Sequence, residues 1–95
     1  MNTFMTLSNA DSVSVVVDFI NTVNDRKDHL VDHYGWGDVA STYELNDYAA
    51  AQYAWEASED NSIESIEANL EFIKDEGAKF NTDNALKIAQ LFLEA

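Results

Sequence analysis

Asn61-Ser62-Ile63-Glu64-Ser65-Ile66-Glu67-Ala68-Asn69-Leu70-Glu71-Phe72-Ile73-Lys74-Asp75-Glu76-Gly77 contains the signals that decide the fold class. Asn61 or Ser62 supplies an oxygen to cap a helix start. Ile63, Ile66, Leu70 and Ile73 then recur at intervals of three and four, which places them on one buried face. Gly77 stands just beyond the expected C-terminus, where helices commonly end in a left-handed residue. Proline is absent and the only glycines are Gly35, Gly37 and Gly77. Few positions therefore force a turn, and long helices are expected.

On the C-terminal side, Thr82 is expected to cap a last helix that runs to the terminus. Leu86, Ala89 and Leu93, flanked by Ile88 and Phe92, form its buried face. On the N-terminal side, a helix is expected to run to about Ser58, opened by Ser41 with Glu44 as a capping box or by Asn46. Its Ala49-Ala50-Ala51 run has high helix propensity and permits close backbone approach. A short helix from 38 to about 43 follows Gly35-Trp36-Gly37. The first helix is expected to start near Ser8 or Asn9 and end before Gly35, with Asp11 at the positive end of its dipole. Val13, Val16, Val17, Ile20, Val23, Leu30, Val31 and Tyr34 share its apolar face. Two alternatives stay open: Val15-Val16-Val17 also suits a strand, and the polar residues 24–28 could break the helix in two. The expectation is an all-α protein, residues 1–95 forming a single acidic helical domain built as a compact bundle of about four helices.

The chain has 95 residues, 46% of them hydrophobic and 12% aromatic, too apolar for a disordered acidic tail. Without cysteine it has no disulfide, thiolate nucleophile or Cys-ligated zinc. No segment approaches the ~20 apolar residues of a membrane span, and residues 1–10 lack the basic and apolar parts of a signal peptide, so a cytoplasmic location is expected. Charge is the dominant feature: 18 Asp and Glu against five Lys and Arg give a net −13. Residues 1–37 contribute −3 (five acids, two bases), residues 38–76 contribute −10 (eleven acids, one base) and residues 77–95 contribute zero. Such a field opposes direct binding of nucleic acid or anionic lipid and favours a basic partner.

At 100° per residue, Asp60, Glu64, Glu67, Glu71 and Asp75 fall within an arc of about 80°, beside the Ile/Leu stripe, at a mean axial step of about 5.5 Å. That step is of the order of the phosphate spacing in a nucleic-acid strand. Lys74 is the only base on or near this ladder, and Glu56, Glu59, Asp38, Glu44, Asp47 and Glu76 add to it in the same region. A solvated face of good helix formers is the plain alternative. Every Tyr and Trp (Tyr34, Trp36, Tyr43, Tyr48, Tyr53 and Trp55) lies within residues 34–55. Tyr48 and Trp55 are expected to pack between helices. Trp36, between two glycines, is expected to be an exposed anchor for a partner. Acidic and aromatic surface together suits an Arg/Lys-lined groove.

His29 and His33 are four residues apart with Asp25, Asp28 and Asp32 nearby, so both imidazoles could face one ion. His29-Leu30-Val31-Asp32-His33 lacks the glutamate that a zinc-protease helix carries after its first histidine, and spacing supplies no third ligand. The expectation is an exposed polar segment whose histidines could make binding respond to pH, with no metal. Asn9-Ala10-Asp11-Ser12-Val13 resembles the Asp-Ser-Leu helix start at which acyl carrier proteins bear their phosphopantetheine arm. Val13 replaces the leucine and no long helix precedes the serine, so a helix start accounts for these residues and no cofactor is expected. No Gly-rich phosphate loop or paired catalytic groups point to an enzyme.

In size, charge and helicity, though in no motif, the chain resembles the small acidic inhibitors that bacteriophages use against restriction enzymes and CRISPR complexes. The resemblance implies a DNA mimic acting in a host cytoplasm on the basic surface of a nucleic-acid-binding protein. Two other classes remain: a structural or adaptor domain that self-associates through apolar helices, and a small metal or prosthetic-group carrier.

Overall fold

The structure is a computed structural model that describes residues 13–94. The expected helix start at Ser8 or Asn9 and the Asp11-Ser12 pair lie outside the described residues, as does the side chain of Tyr34. In chain order the elements are α1 (Val13–Thr22), a 3-10 turn (Val23–Arg26), α2 (Lys27–Tyr34), α3 (Gly37–Thr42), α4 (Leu45–Ala57), α5 (Ile63–Asp75) and α6 (Thr82–Glu94). No strand occurs among the described residues, so the all-α bundle holds and Val15-Val16-Val17 is helical. The polar residues do interrupt the first helix: the α-helical hydrogen-bond pattern tightens to 3-10 over Val23–Arg26 and resumes at Lys27.

α4 is the centre. It packs on α1, the 3-10 turn, α3, α5 and α6, and α5 and α6 also pack on each other. A helix with neighbours on every side has no solvent face to separate from an apolar one. Ala49, Ala50, Ala51 and Ala54 are all fully buried, and their small side chains let the surrounding helices approach. Around them close Val16, Phe19, Ile20, Val23 and Leu30 from the first half, Ile66, Leu70 and Ile73 from α5, and Ala85, Ile88 and Ala89 from α6. The buried face of α6 is thus rotated from the expected one, with Leu86 and Leu93 only partly covered.

The helix ends follow local chemistry. Ser62 caps α5, its hydroxyl accepting from the Ser65 N–H at 3.1 Å. Beyond α5, the Gly77 N–H donates to the Lys74 carbonyl and the Ala78 N–H to the Ile73 carbonyl, both at 3.0 Å. This is a Schellman closure, and it needs the positive φ of +108° that Gly77 supplies. The cap of α6 is Asn81 rather than Thr82. Its side-chain oxygen accepts from the Asn84 N–H at 3.0 Å, which leaves the Thr82 hydroxyl for Lys74. Neither Ser41 nor Asn46 starts α4. Ser41 lies within α3 and donates to the Asp38 carbonyl, and α4 begins at Leu45 without a side-chain cap.

The loop between α5 and α6 is tied down by side chains of other elements. Asn21 donates to the Gly77 carbonyl at 3.1 Å and accepts from the Lys79 N–H at 2.8 Å. Asn46 donates to the Lys79 carbonyl at 2.8 Å. Both connections fix α5 relative to α1 and α4.

Candidate functional site

The outer face of α5 is built by the same register that buries its inner face. Ile66, Leu70 and Ile73 are fully buried against the core, which points Glu64, Glu67, Glu71 and Asp75 outward, and all four are exposed. They lie within an arc of about 80° and span about 16 Å of helix, roughly half of the molecule's longest dimension of 33 Å. No carboxylate of the four is in an ion pair or hydrogen bond among the described residues.

Lys74, the one base between residues 38 and 76, is turned away from them. Its ammonium donates to the Thr82 hydroxyl at 2.9 Å and the Phe80 carbonyl at 3.4 Å, and it lies 5.3 Å from the centroid of the Phe80 ring. It therefore serves the α5–α6 junction, and its charge is drawn toward that junction. Three like-charge neighbours at three- and four-residue spacing remain: Glu64 with Glu67, Glu67 with Glu71, and Glu71 with Asp75.

Other carboxylates expected in the acidic region do different work. Asp60 precedes α5 and is not part of the helical ladder. Its Oδ1 accepts from the Ser62 N–H (3.0 Å), the Ser62 hydroxyl (2.9 Å) and the Ser58 hydroxyl (3.3 Å). The hydrogen bonds from Ser62 hold this carboxyl below its usual range. In the same turn Asn61 adopts a positive φ of 55°, a conformation asparagine tolerates, and its N–H donates to the Ser58 hydroxyl. Asp47 is buried, at 3% exposure, and accepts from the Asn81 N–H at 2.7 Å and the Asn84 amide at 3.2 Å. It is a structural acid that orients the start of α6.

Glu56 is half-buried, with Oε2 enclosed and without a hydrogen-bond partner among the described residues. Burial pushes its carboxyl up, opposed in part by a hydrogen bond from Gln52. Glu59, in the α4–α5 connection, is exposed beside Asp60. Nine of the eleven acids between residues 38 and 76 are exposed, all except Asp47 and Glu56, so the charge of the middle segment does reach the surface.

Trp36 is not the exposed anchor its two glycine neighbours suggested. Gly35 takes a left-handed φ of +73° that ends α2, the Trp36 N–H donates back to the Leu30 carbonyl, and Trp36 is a core residue at 4% exposure. Its ring meets Tyr48 edge-on at 5.4 Å. Tyr48 also contacts Tyr43 at 5.8 Å and Phe92 at 5.5 Å, and Trp55 meets Phe92 at 5.3 Å. This aromatic cluster joins α3 and α4 to α6, and burial raises the Tyr48 hydroxyl above its ordinary range. Tyr48 and Trp55 pack against the core as expected.

The aromatic ring that accompanies the acidic face is Phe72, half exposed at 51%. It stands three residues before Asp75 and four before Glu76. The Ile/Leu register held the clue, since position 72 falls about 140° from the centre of that stripe.

An open cleft of about 230 Å³ lies elsewhere, lined by Thr42, Tyr43, Asn84, Lys87 and Ile88. No carboxylate lines it, and it is smaller than the roughly 300 Å³ from which small-molecule pockets begin. No helix among the described residues is long and apolar enough to cross a membrane. Comparison with protein-family models, curated proteins and solved structures gives no match to this chain.

Proposed function

We propose that the chain is a non-enzymatic acidic binding protein that inhibits or regulates a nucleic-acid-binding protein in the cytoplasm by occupying its basic groove. The contact is the outer face of α5: Glu64, Glu67, Glu71 and Asp75, extended by Glu59 and the ring of Phe72. One observation carries this reading. The only base in the 38–76 segment is turned to the α5–α6 junction, so four carboxylates stand without a partner among the described residues along about 16 Å of a helix whose other side is locked into the core.

A phosphate-binding groove would meet charges held on a rigid support, which lowers the ordering cost of association. Arginines in that groove can pair with the carboxylates and stack on Phe72. Because opposite fields steer the encounter, affinity should fall steeply with salt. The likeness to phage inhibitors of restriction enzymes and CRISPR complexes belongs to this reading.

The test is capture from a lysate of the source or its host on immobilised protein, eluted by a salt gradient, with a Glu64→Gln/Glu67→Gln/Glu71→Gln variant in parallel. The expected result is a nucleic-acid-binding protein that the wild type retains to higher salt and whose nucleic acid the wild type displaces. Equal retention by the variant removes α5 as the contact.

A second reading rests on Val15, Phe72 and Leu91, large apolar side chains that are each half exposed. It makes the chain an adaptor that associates through apolar contacts. Sedimentation over a range of concentrations separates the two, since a strict monomer removes the self-associating form.

A further inference from the structure

His29 and His33 are exposed on α2, one helical turn apart. Their ring centroids are 4.6 Å apart and their planes are tilted by 39°. Coordination geometry gives that spacing a meaning. An imidazole nitrogen binds Zn²⁺ at about 2.0–2.1 Å, which places the ring centroid roughly 3.2 Å from the ion. For two rings on one ion, ligand angles from about 90° to about 110° put the centroids roughly 4.5–5.2 Å apart. The observed separation lies inside that window, so the backbone of α2 already spaces the two rings for one ion, and rotation of the two side chains would bring a nitrogen of each to it.

We propose that His29 and His33 form a chelating pair for a single divalent transition-metal ion, with Cu²⁺ held more tightly than Zn²⁺ as the general order of these ions requires. No group of three or more His, Asp or Glu side chains converges on such a site among the described residues. The protein therefore supplies two nitrogen ligands and water completes the shell, which makes the site far weaker than a structural zinc centre. Asp25, Asp28 and Asp32, all exposed on the same stretch, add negative potential that favours a cation. Selectivity comes from the imidazoles: nitrogen ligands suit Zn²⁺ and Cu²⁺, whereas Ca²⁺ and Mg²⁺ prefer the many carboxylates. The site does not depend on the acidic face of α5.

Titration of the full chain with CuCl2 and with ZnCl2 tests this, followed by calorimetry and, for Zn²⁺, by the NMR signals of the histidine rings. The expected result is one equivalent bound, Cu²⁺ ahead of Zn²⁺, both ring signals moving together, and no displacement by excess CaCl2. His29→Gln and His33→Gln should each weaken binding about tenfold or more while leaving the circular dichroism unchanged. The proposal is overturned if either variant binds like the wild type, if CaCl2 displaces the ion, or if neither ring signal moves by about 1 mM Zn²⁺, where even a weak two-histidine chelate should fill.

Discussion

α4 and α5 are each 13 residues long and pack against one another, yet they use their carboxylates in opposite ways. On α4, Asp47 is enclosed and both oxygens are taken up by Asn81 and Asn84. On α5, Glu64, Glu67, Glu71 and Asp75 face solvent with no partner among the described residues. The difference separates charge that the fold consumes from charge that the fold holds out. Only the second kind is available to another molecule, and its removal should leave the fold intact.

Stability should depend most on the support beneath the acidic face. Leu70→Ala opens a cavity under α5 and should cost about 2–5 kcal/mol in urea unfolding; a small loss would mean that α5 is not locked to the core. Next, Asp47→Ala leaves the Asn81 N–H and the Asn84 amide without their acceptor and should cost about 1–3 kcal/mol. A neutral result would place Asp47 with the spare charges and erase the contrast between the two helices.

Glu56 and Asp60 respond to pH in opposite senses, because their shifts have opposite sign. The hydrogen bonds from Ser62 lower the folded-state value of Asp60, so its contribution is present above the ordinary aspartate range and is lost as the pH falls through the lowered value. Burial raises Glu56, so stability from this group is greatest below the ordinary glutamate range and declines as the pH rises through the raised value. Asp60→Asn should therefore lower the melting temperature at neutral pH and lose that effect in acid. Glu56→Gln should raise it at neutral pH by more than Glu59→Gln, which removes the same charge from an exposed site. Thermal melts across the carboxylate range check both signs.

The smallest expected change in stability belongs to the ladder itself. Glu64→Gln/Glu67→Gln/Glu71→Gln removes three like-charge pairs that cost a few tenths of a kcal/mol each, so unfolding should shift by no more than about 1 kcal/mol, toward greater stability. A substantial loss would show that these carboxylates serve the fold after all.

Much of this layout was legible in the residues. α5 combined a cap at Ser62, an unbroken Ile/Leu stripe and a glycine stop, and these local signals all agreed. α4 was harder to read because a helix buried on every face carries no amphipathic period, and the burial of Asp47 depends on Asn81 and Asn84, more than thirty residues away. Trp36 misled for a similar reason: Gly35 and Gly37 mark a turn, but the indole packs into the core against partners that include Tyr48 on another helix, which local sequence does not encode. Asp60 shared the angular position of the ladder by arithmetic, while the Ser62 cap ended the helix before reaching it.

Whether α5 holds a concentrated field is measured most directly with a nonaarginine peptide as a generic basic probe, by calorimetry at low salt. The Glu64→Gln/Glu67→Gln/Glu71→Gln variant is compared with Asp18→Asn/Asp25→Asn/Asp32→Asn, which removes equal charge from exposed positions outside α5. Potential gathered along α5 predicts a markedly larger loss of affinity in the α5 variant and a flatter dependence on salt. Equal losses in the two variants would show that the probe reads net charge alone, and the acidic face of α5 would have no special standing.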